Sequence, residues 1–159
     1  DEVALGDVRA QVIENPGHTS GAISFFVDGA AVFTGDTMFG AGCGRLFEGT
    51  PAQMAASMAR LAALPPATKV YFGHEYTASN LRFAAAVEPD NAAITARAAA
   101  IVDGVATTPS TIADERATNP FVRSAEPGVI AAAIARDAAI DPADPAAVLG
   151  AIRRWKDVF

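Results

Sequence analysis

A change of pattern near residue 76 constrains this chain more than any other feature. Before it, short apolar runs are separated by glycine-containing turns; after it, every run reads as helix and is cut by proline. Residues 8–14 alternate apolar and polar side chains and are expected to form a strand that Pro16-Gly17 ends. The runs Ala22 to Val27 and Ala30 to Thr34 flank Asp28-Gly29, a dipeptide suited to a tight hairpin. Residues 35–49 hold five glycines and read as one long loop. Thr50-Pro51-Ala52-Gln53 is a helix start, with Thr50 as cap, Pro51 at the first helical position and Gln53 completing a capping box; Pro65-Pro66 stops that helix. Lys69 to Phe72 is expected to be a short strand. Helices are then expected over 78–87, 91–103, 111–117, 128–138 and 145–157. The pattern predicts an α/β layer over residues 1–76 followed by an all-α unit over residues 77–159.

Composition removes several classes. In 159 residues, 51% are hydrophobic, so a core can form without staples, and one cysteine excludes a disulfide scaffold. The longest purely apolar stretch runs from Val129 to Ala135, too short to span a bilayer, so no membrane partner is expected. Twelve Lys and Arg against 18 Asp and Glu leave a net charge of −6, which argues against a nucleic-acid partner. The lone Cys43 fits a reducing, cytoplasmic setting. The chain begins at Asp1 with no charged and apolar leader pattern behind it, so no signal peptide is read.

The chemistry-bearing residues sit at the ends of the expected strands. The two histidines, His18 after Pro16-Gly17 and His74 after Gly73, share a context with Asp36 in Thr34-Gly35-Asp36-Thr37: each follows a strand and flanks a glycine. Two imidazoles and a carboxylate suit Zn²⁺, and the same residues also fit ordinary hydrogen-bonded loop positions. Cys43 lies between two glycines and reads as a small packing residue rather than a nucleophile. Trp155 reads as a packing anchor, and Asp114-Glu115-Arg116 as helix capping and dipole complementarity.

Several segments occur together in one order: Asn15-Pro16-Gly17-His18-Thr19-Ser20-Gly21, Phe33-Thr34-Gly35-Asp36-Thr37-Met38-Phe39, Gly42-Cys43-Gly44-Arg45-Leu46-Phe47-Glu48-Gly49-Thr50 and Gly73-His74-Glu75-Tyr76-Thr77. With Ala117-Thr118-Asn119-Pro120-Phe121 and Arg153-Arg154-Trp155-Lys156-Asp157, they resemble the glyoxalase II (hydroxyacylglutathione hydrolase) family of the metallo-β-lactamase superfamily. The family's His-x-His-x-Asp-His motif has no counterpart here. The resemblance therefore implies the C-terminal half of an αββα sandwich (residues 1–76), followed by a helical glutathione-binding domain (residues 77–159). It implies His18 on one metal, Asp36 bridging two and acting as the catalytic carboxylate, and His74 on the second metal. The metal would be Zn²⁺, two per complete site, with iron or manganese also suited. It further implies Arg45, Phe47 and Tyr76 around glutathione, with Arg153 and Lys156 at its glycyl carboxylate.

The implied reaction is hydrolysis of S-D-lactoylglutathione and related glutathione thioesters by hydroxide held between the metals, a step in methylglyoxal detoxification. Lacking the other ligands, the isolated chain is expected to bind metal weakly and to show negligible activity. Its sheet should expose the face that the missing N-terminal half would cover, which favours self-association. Two other readings are an inactive remnant that keeps a glutathione-binding surface, and a sibling such as a persulfide dioxygenase or a lactamase.

Overall fold

A computed structural model describes residues 1–159 apart from Asp28, so the expected Asp28-Gly29 turn lies partly outside the described residues. The strands are β1 (Glu2–Leu5), β2 (Val8–Glu14), β3 (Ile23–Val27), β4 (Ala31–Gly35), β5 (Met38–Phe39), β6 (Gly42–Cys43), β7 (Lys69–Phe72) and β8 (Ser110–Thr111). The helices are α1 (Pro51–Ala62), α2 (Thr77–Val87), α3 (Ala92–Ala99), α4 (Ile112–Thr118), α5 (Pro127–Arg136) and α6 (Pro145–Asp157). Six strands form one sheet in the order β1-β2-β3-β4-β7-β8, and β5 pairs with β6 in a separate small hairpin. Only β4 and β7 run parallel; the other sheet neighbours are antiparallel. The chain passes from β4 to β7 through the β5–β6 hairpin and α1, the long crossover that a parallel pair requires.

The capping box at α1 forms as expected: Thr50 accepts from the Gln53 amide, and the Gln53 side chain accepts from the Thr50 amide. Met54, Met58 and Leu61 then face the sheet and join Phe26, Val32, Val70 and Phe72 in one core. The same cluster includes Phe83 of α2, Val129 of α5 and Leu149 and Ile152 of α6, so apolar burial is continuous from the sheet into the helices.

The structure corrects four local expectations. A strand, β1, precedes the first expected one; its Glu2-Val3-Ala4-Leu5 is too short for alternation to register, and it exists by pairing with β2. The glycine-rich loop contains the β5–β6 hairpin. The third helix stops at Ala99 instead of 103. Residues after 77 are not all helical, because β8 adds an edge to the sheet beside β7.

One face of the sheet is left without a covering layer. Register places Leu5 beside Val8, Val3 beside Ala10, Val12 beside Phe25, Phe25 beside Phe33 and Phe33 beside Tyr71, all on that face. Val3, Leu5, Val8, Ile23, Phe25 and Phe33 are exposed there, and Phe33 stacks on Tyr71 at 5.1 Å between centroids. A contiguous apolar surface of this kind marks a contact site.

Candidate metal and substrate site

Asp36 and His74 meet because β4 and β7 are parallel neighbours whose C-terminal ends lie side by side. Gly35, at φ +52°, turns the chain out of β4, and the Gly73 amide donates to the Gly35 carbonyl at 3.0 Å. A Cβ on Gly73 would stand 2.6 Å from Asp36 Oδ1, so a side chain there would displace the Asp36 carboxylate from this position. His18 arrives from the turn after β2. That turn is anchored by fully buried Asn15, which donates to Ser24 Oγ, and by the Pro16 carbonyl, which accepts from Ser57 of α1 at 2.7 Å.

The loop carrying His18 is closed against the loop carrying Phe47. The amides of Phe47 and Glu48 donate to the His18 carbonyl, and the Gly49 amide donates to the Gly17 carbonyl. A Cβ on Gly49 would lie 2.5 Å from the Gly17 backbone. Glu48 accepts from the Ser20 amide and hydroxyl, and these bonds hold its carboxyl below the ordinary value. On the other side, Glu75 accepts from Thr107 and Thr108. Burial pushes the Glu75 carboxyl up, but those bonds more than offset it and leave it below the ordinary value.

The donor geometry fits a divalent cation. His18 Nδ1–H donates to the Arg45 carbonyl at 2.9 Å, and its Nε2 faces Asp36 Oδ2 at 3.7 Å. His74 Nε2 faces the other oxygen, Oδ1, at 3.4 Å. Two electron-rich atoms facing one another across such a gap are stable when a cation sits between them. Among the described residues, no group of three or more His, Cys, Asp or Glu can hold one ion together. Each imidazole meets a different oxygen of Asp36, so the arrangement is two half-sites with two protein donors each. A structural zinc site uses four protein ligands and a catalytic one three, so further ligands are needed from outside these residues.

All eight residues singled out from the sequence line a single cavity of about 550 Å³. His18, Asp36 and His74 form one part of its wall, and Arg45, Arg153 and Lys156 supply the positive charge that the chain as a whole lacks. Phe47 and Tyr76 are both largely exposed and flank the donors: Phe47 lies 5.0 Å from the His18 ring, and Tyr76 stacks on His74 at 5.0 Å. Arg153 is buried; its Nη1 donates to the Cys43 carbonyl at 3.0 Å, its Nη2 to Asp157 at 3.1 Å, and its Nε has no partner. Lys156 lies 5.1 Å over the Phe83 ring with no carboxylate in ion-pair contact among the described residues. Burial, and then repulsion from Arg153, pushes its pKa down to about 8. The Cys43 thiol is buried and pushed up to about 11 chiefly by that burial, which removes it as a nucleophile at neutral pH. A larger groove of about 910 Å³ lies elsewhere, between α2, α3 and α5; its Glu88–Arg123 ion pair is internally satisfied and no histidine lines it.

The pattern alone missed three residues that shape this cavity. Phe39 packs edge-on against His74 and Tyr76. Asn119 donates to the Phe39 and Gly42 carbonyls. Glu115 is fully buried and is no surface dipole partner; of the Asp114-Glu115-Arg116 set, only Asp114 caps the helix. Ile112 and Glu115, at i and i+3, share the inward face of α4, and a charged residue on such a face was the available signal.

Comparison with known proteins decides the relationship. The sequence profile of the family described as "Hydroxyacylglutathione hydrolase C-terminus" matches residues 75–159. The chain belongs to this family. A hydroxyacylglutathione hydrolase from Cupriavidus taiwanensis is 54% identical over 157 residues, which cover 94% of this chain and 58% of the relative. The chain thus spans somewhat over half the length of that relative. The crystal structure of ETHE1 from Myxococcus xanthus superposes with a TM-score of 0.56 at 27% identity, covering 99% of this chain and 57% of that one. A metallo-β-lactamase from Staphylococcus aureus gives a TM-score of 0.56 at 20% identity, covering 96% of this chain and 41% of that one. The fold of this family member is therefore that of part of a metallo-β-lactamase, as the sequence motifs led one to expect.

Proposed function

We propose that this chain is the C-terminal part of a metal-dependent hydrolase that cleaves S-D-lactoylglutathione and related glutathione thioesters to a hydroxy acid and glutathione. The observation that carries the reading is one cavity with two imidazoles facing the two oxygens of one aspartate and two neighbouring cations, Arg153 and Lys156, on the same wall, of which Lys156 has no carboxylate partner among the described residues. The relatives named hydroxyacylglutathione hydrolase favour this over an inactive remnant or a sibling activity. Residues 1–76 carry the metal donors together with Arg45, Phe47 and Tyr76, and residues 77–159 supply Arg153 and Lys156. The remaining ligands come from a preceding half-domain whose sheet covers the apolar face around Phe25 and Phe33. The reaction belongs to methylglyoxal detoxification in the cytoplasm.

His18, Asp36 and His74 would hold the metal, zinc first and iron or manganese as alternatives, with Asp36 the residue common to both half-sites. A bound divalent ion supplies a Lewis acid for the thioester carbonyl and an acidified water at neutral pH. The chain's own residues do the rest. The Arg45 carbonyl fixes the His18 tautomer so that Nε2 is the donor atom. Arg153 and Lys156 bind the glycyl carboxylate and orient the thioester toward Asp36. Phe47 and Tyr76 wall the cavity, and the thiolate product leaves with little need for a protonating acid because its conjugate acid has a pKa of about 8.5.

The metal-loaded full-length protein is expected to release thiol from S-D-lactoylglutathione, to stop on chelation and to recover with Zn²⁺. Unchanged release after complete metal removal would overturn the reading. Binding of glutathione should also weaken as pH rises through about 8, because Lys156 then loses its proton and its attraction for a carboxylate. Calorimetric titration across that range, in wild type and in Lys156→Met, checks this: the variant should bind weakly with no such pH dependence. The stability effect has the opposite sense: below pH about 8 the half-buried ammonium costs stability, and that cost fades between about 8 and the ordinary value of 10.5. Sedimentation tests the exposed face: the isolated 159-residue chain should self-associate, and Phe25→Glu with Phe33→Glu should restore a monomer.

A further inference from the structure

Glu115 takes part in no step above, yet it is the most deeply enclosed charged side chain among the described residues. Four donors converge on its two oxygens. Oε1 accepts from Arg97 Nη2 at 2.8 Å and Ser110 Oγ at 2.7 Å; Oε2 accepts from the Ala41 amide and Asn119 Nδ2, both at 2.9 Å. A carboxylate satisfies all four because it accepts at both ends, whereas a glutamine would turn an NH₂ either toward the Arg97 guanidinium or toward the Ala41 and Asn119 N–H groups, setting donor against donor whichever way it faced.

The Ala41 amide belongs to the turn of the β5–β6 hairpin. Ala41 sits at φ +54°, a left-handed conformation that costs a residue with a Cβ and persists only when its surroundings enforce it. The enforcement is complete. The Phe39 and Gly42 carbonyls accept from Asn119, the Gly40 carbonyl accepts from Asn80, and Glu115 takes the Ala41 amide. The hairpin is thus held from behind by α2 and α4, while its other side forms the cavity. Phe39 packs on His74 and Tyr76 there, and the Cys43 carbonyl receives the Arg153 guanidinium.

We propose that Glu115 is a positioning residue: by fixing the Gly40–Ala41 turn it places the Cys43 carbonyl, and through it the Arg153 guanidinium that meets the anionic end of the substrate. The substrate part of this rests on the thioesterase reading; the mechanical link from Glu115 to Cys43 does not.

Glu115→Gln and Glu88→Gln, in the metal-loaded full-length protein, provide the test. Glu88 is a buried carboxylate paired with Arg123 away from the hairpin, so its variant carries a comparable loss of a buried ion pair without touching the turn. Glu115→Gln is expected to raise KM for S-D-lactoylglutathione about tenfold with kcat within about threefold. It should also speed maleimide labelling of Cys43, followed by peptide mass spectrometry well below the unfolding transition. Glu88→Gln should do neither. Should Glu115→Gln not accumulate as folded protein, Ser110→Ala, which removes one of the four donors, should give smaller shifts in both readouts. Equal KM and labelling in Glu115→Gln and wild type, or the same changes in Glu88→Gln, would overturn the proposal. A wild-type protein without thioesterase activity would overturn the functional reading instead, and the labelling comparison would still decide whether Glu115 holds the hairpin.

Discussion

Replacing Asp36 with alanine is expected to remove turnover by more than any other single change in this chain and to release bound metal. His18 and His74 do not face each other; each faces a separate oxygen of Asp36, so this carboxylate is the one group common to both half-sites. Loss of an outer-shell partner of a metal ligand typically costs about 10- to 100-fold in affinity or activity. Loss of a shared direct ligand should exceed the upper end of that range, with metal content falling in step. Asp36→Asn should fall between, because its amide keeps one oxygen and turns an NH₂ toward one imidazole. Metal analysis after gel filtration, beside thioester hydrolysis, checks both. An Asp36→Ala protein that keeps its full metal complement and activity within tenfold of wild type would remove Asp36 from the centre of the site.

The second large effect is expected at Arg153, and it should depend on the substrate. Hydrogen bonds to charged groups contribute about 1.5–3 kcal/mol, which corresponds to roughly 10- to 150-fold in binding. Arg153→Ala should therefore raise KM for S-D-lactoylglutathione by about that factor, and leave KM for the glycyl methyl ester of the same thioester nearly unchanged. The pairing matters because Arg153 also carries structure. It donates to the Cys43 carbonyl and stacks 5.3 Å over Phe121, so truncation also costs stability, which falls on both substrates alike. Equal KM rises on acid and ester would show that the arginine is a strut and not a carboxylate anchor.

The sequence made the central sheet and most of the helices readable because their signals are local. The Thr50 capping box, the strand at Lys69 to Phe72 and the helix from Pro145 all lie where propensity and punctuation place them. Strands β1 and β8 escaped because neither has an internal pattern; each is made by its neighbour, β2 in one case and β7 in the other. The site residues were readable only as motifs. Nothing in the spacing of His18, Asp36 and His74 brings them together; the parallel register of β4 and β7 does so for two of them, and the Gly17–Gly49 contact locates the third. Glu115, with Asp114 and Arg116, reads as helix capping and dipole complementarity because helix-end charge is usually solvated, and here four donors, two of them (Ala41 and Arg97) from distant segments, override that tendency.

The contact between Gly17 and Gly49 has a consequence for how such a protein can diversify. Backbones that touch without intervening side chains move as one body, so the imidazole at 18 and the aromatic at 47 share a single degree of freedom. The Phe47 wall cannot shift outward without dragging His18, which faces Asp36, along with it. Variation of this wall of the cavity is then confined to exchanging the side chain at 47 in place, while the loop path itself stays frozen.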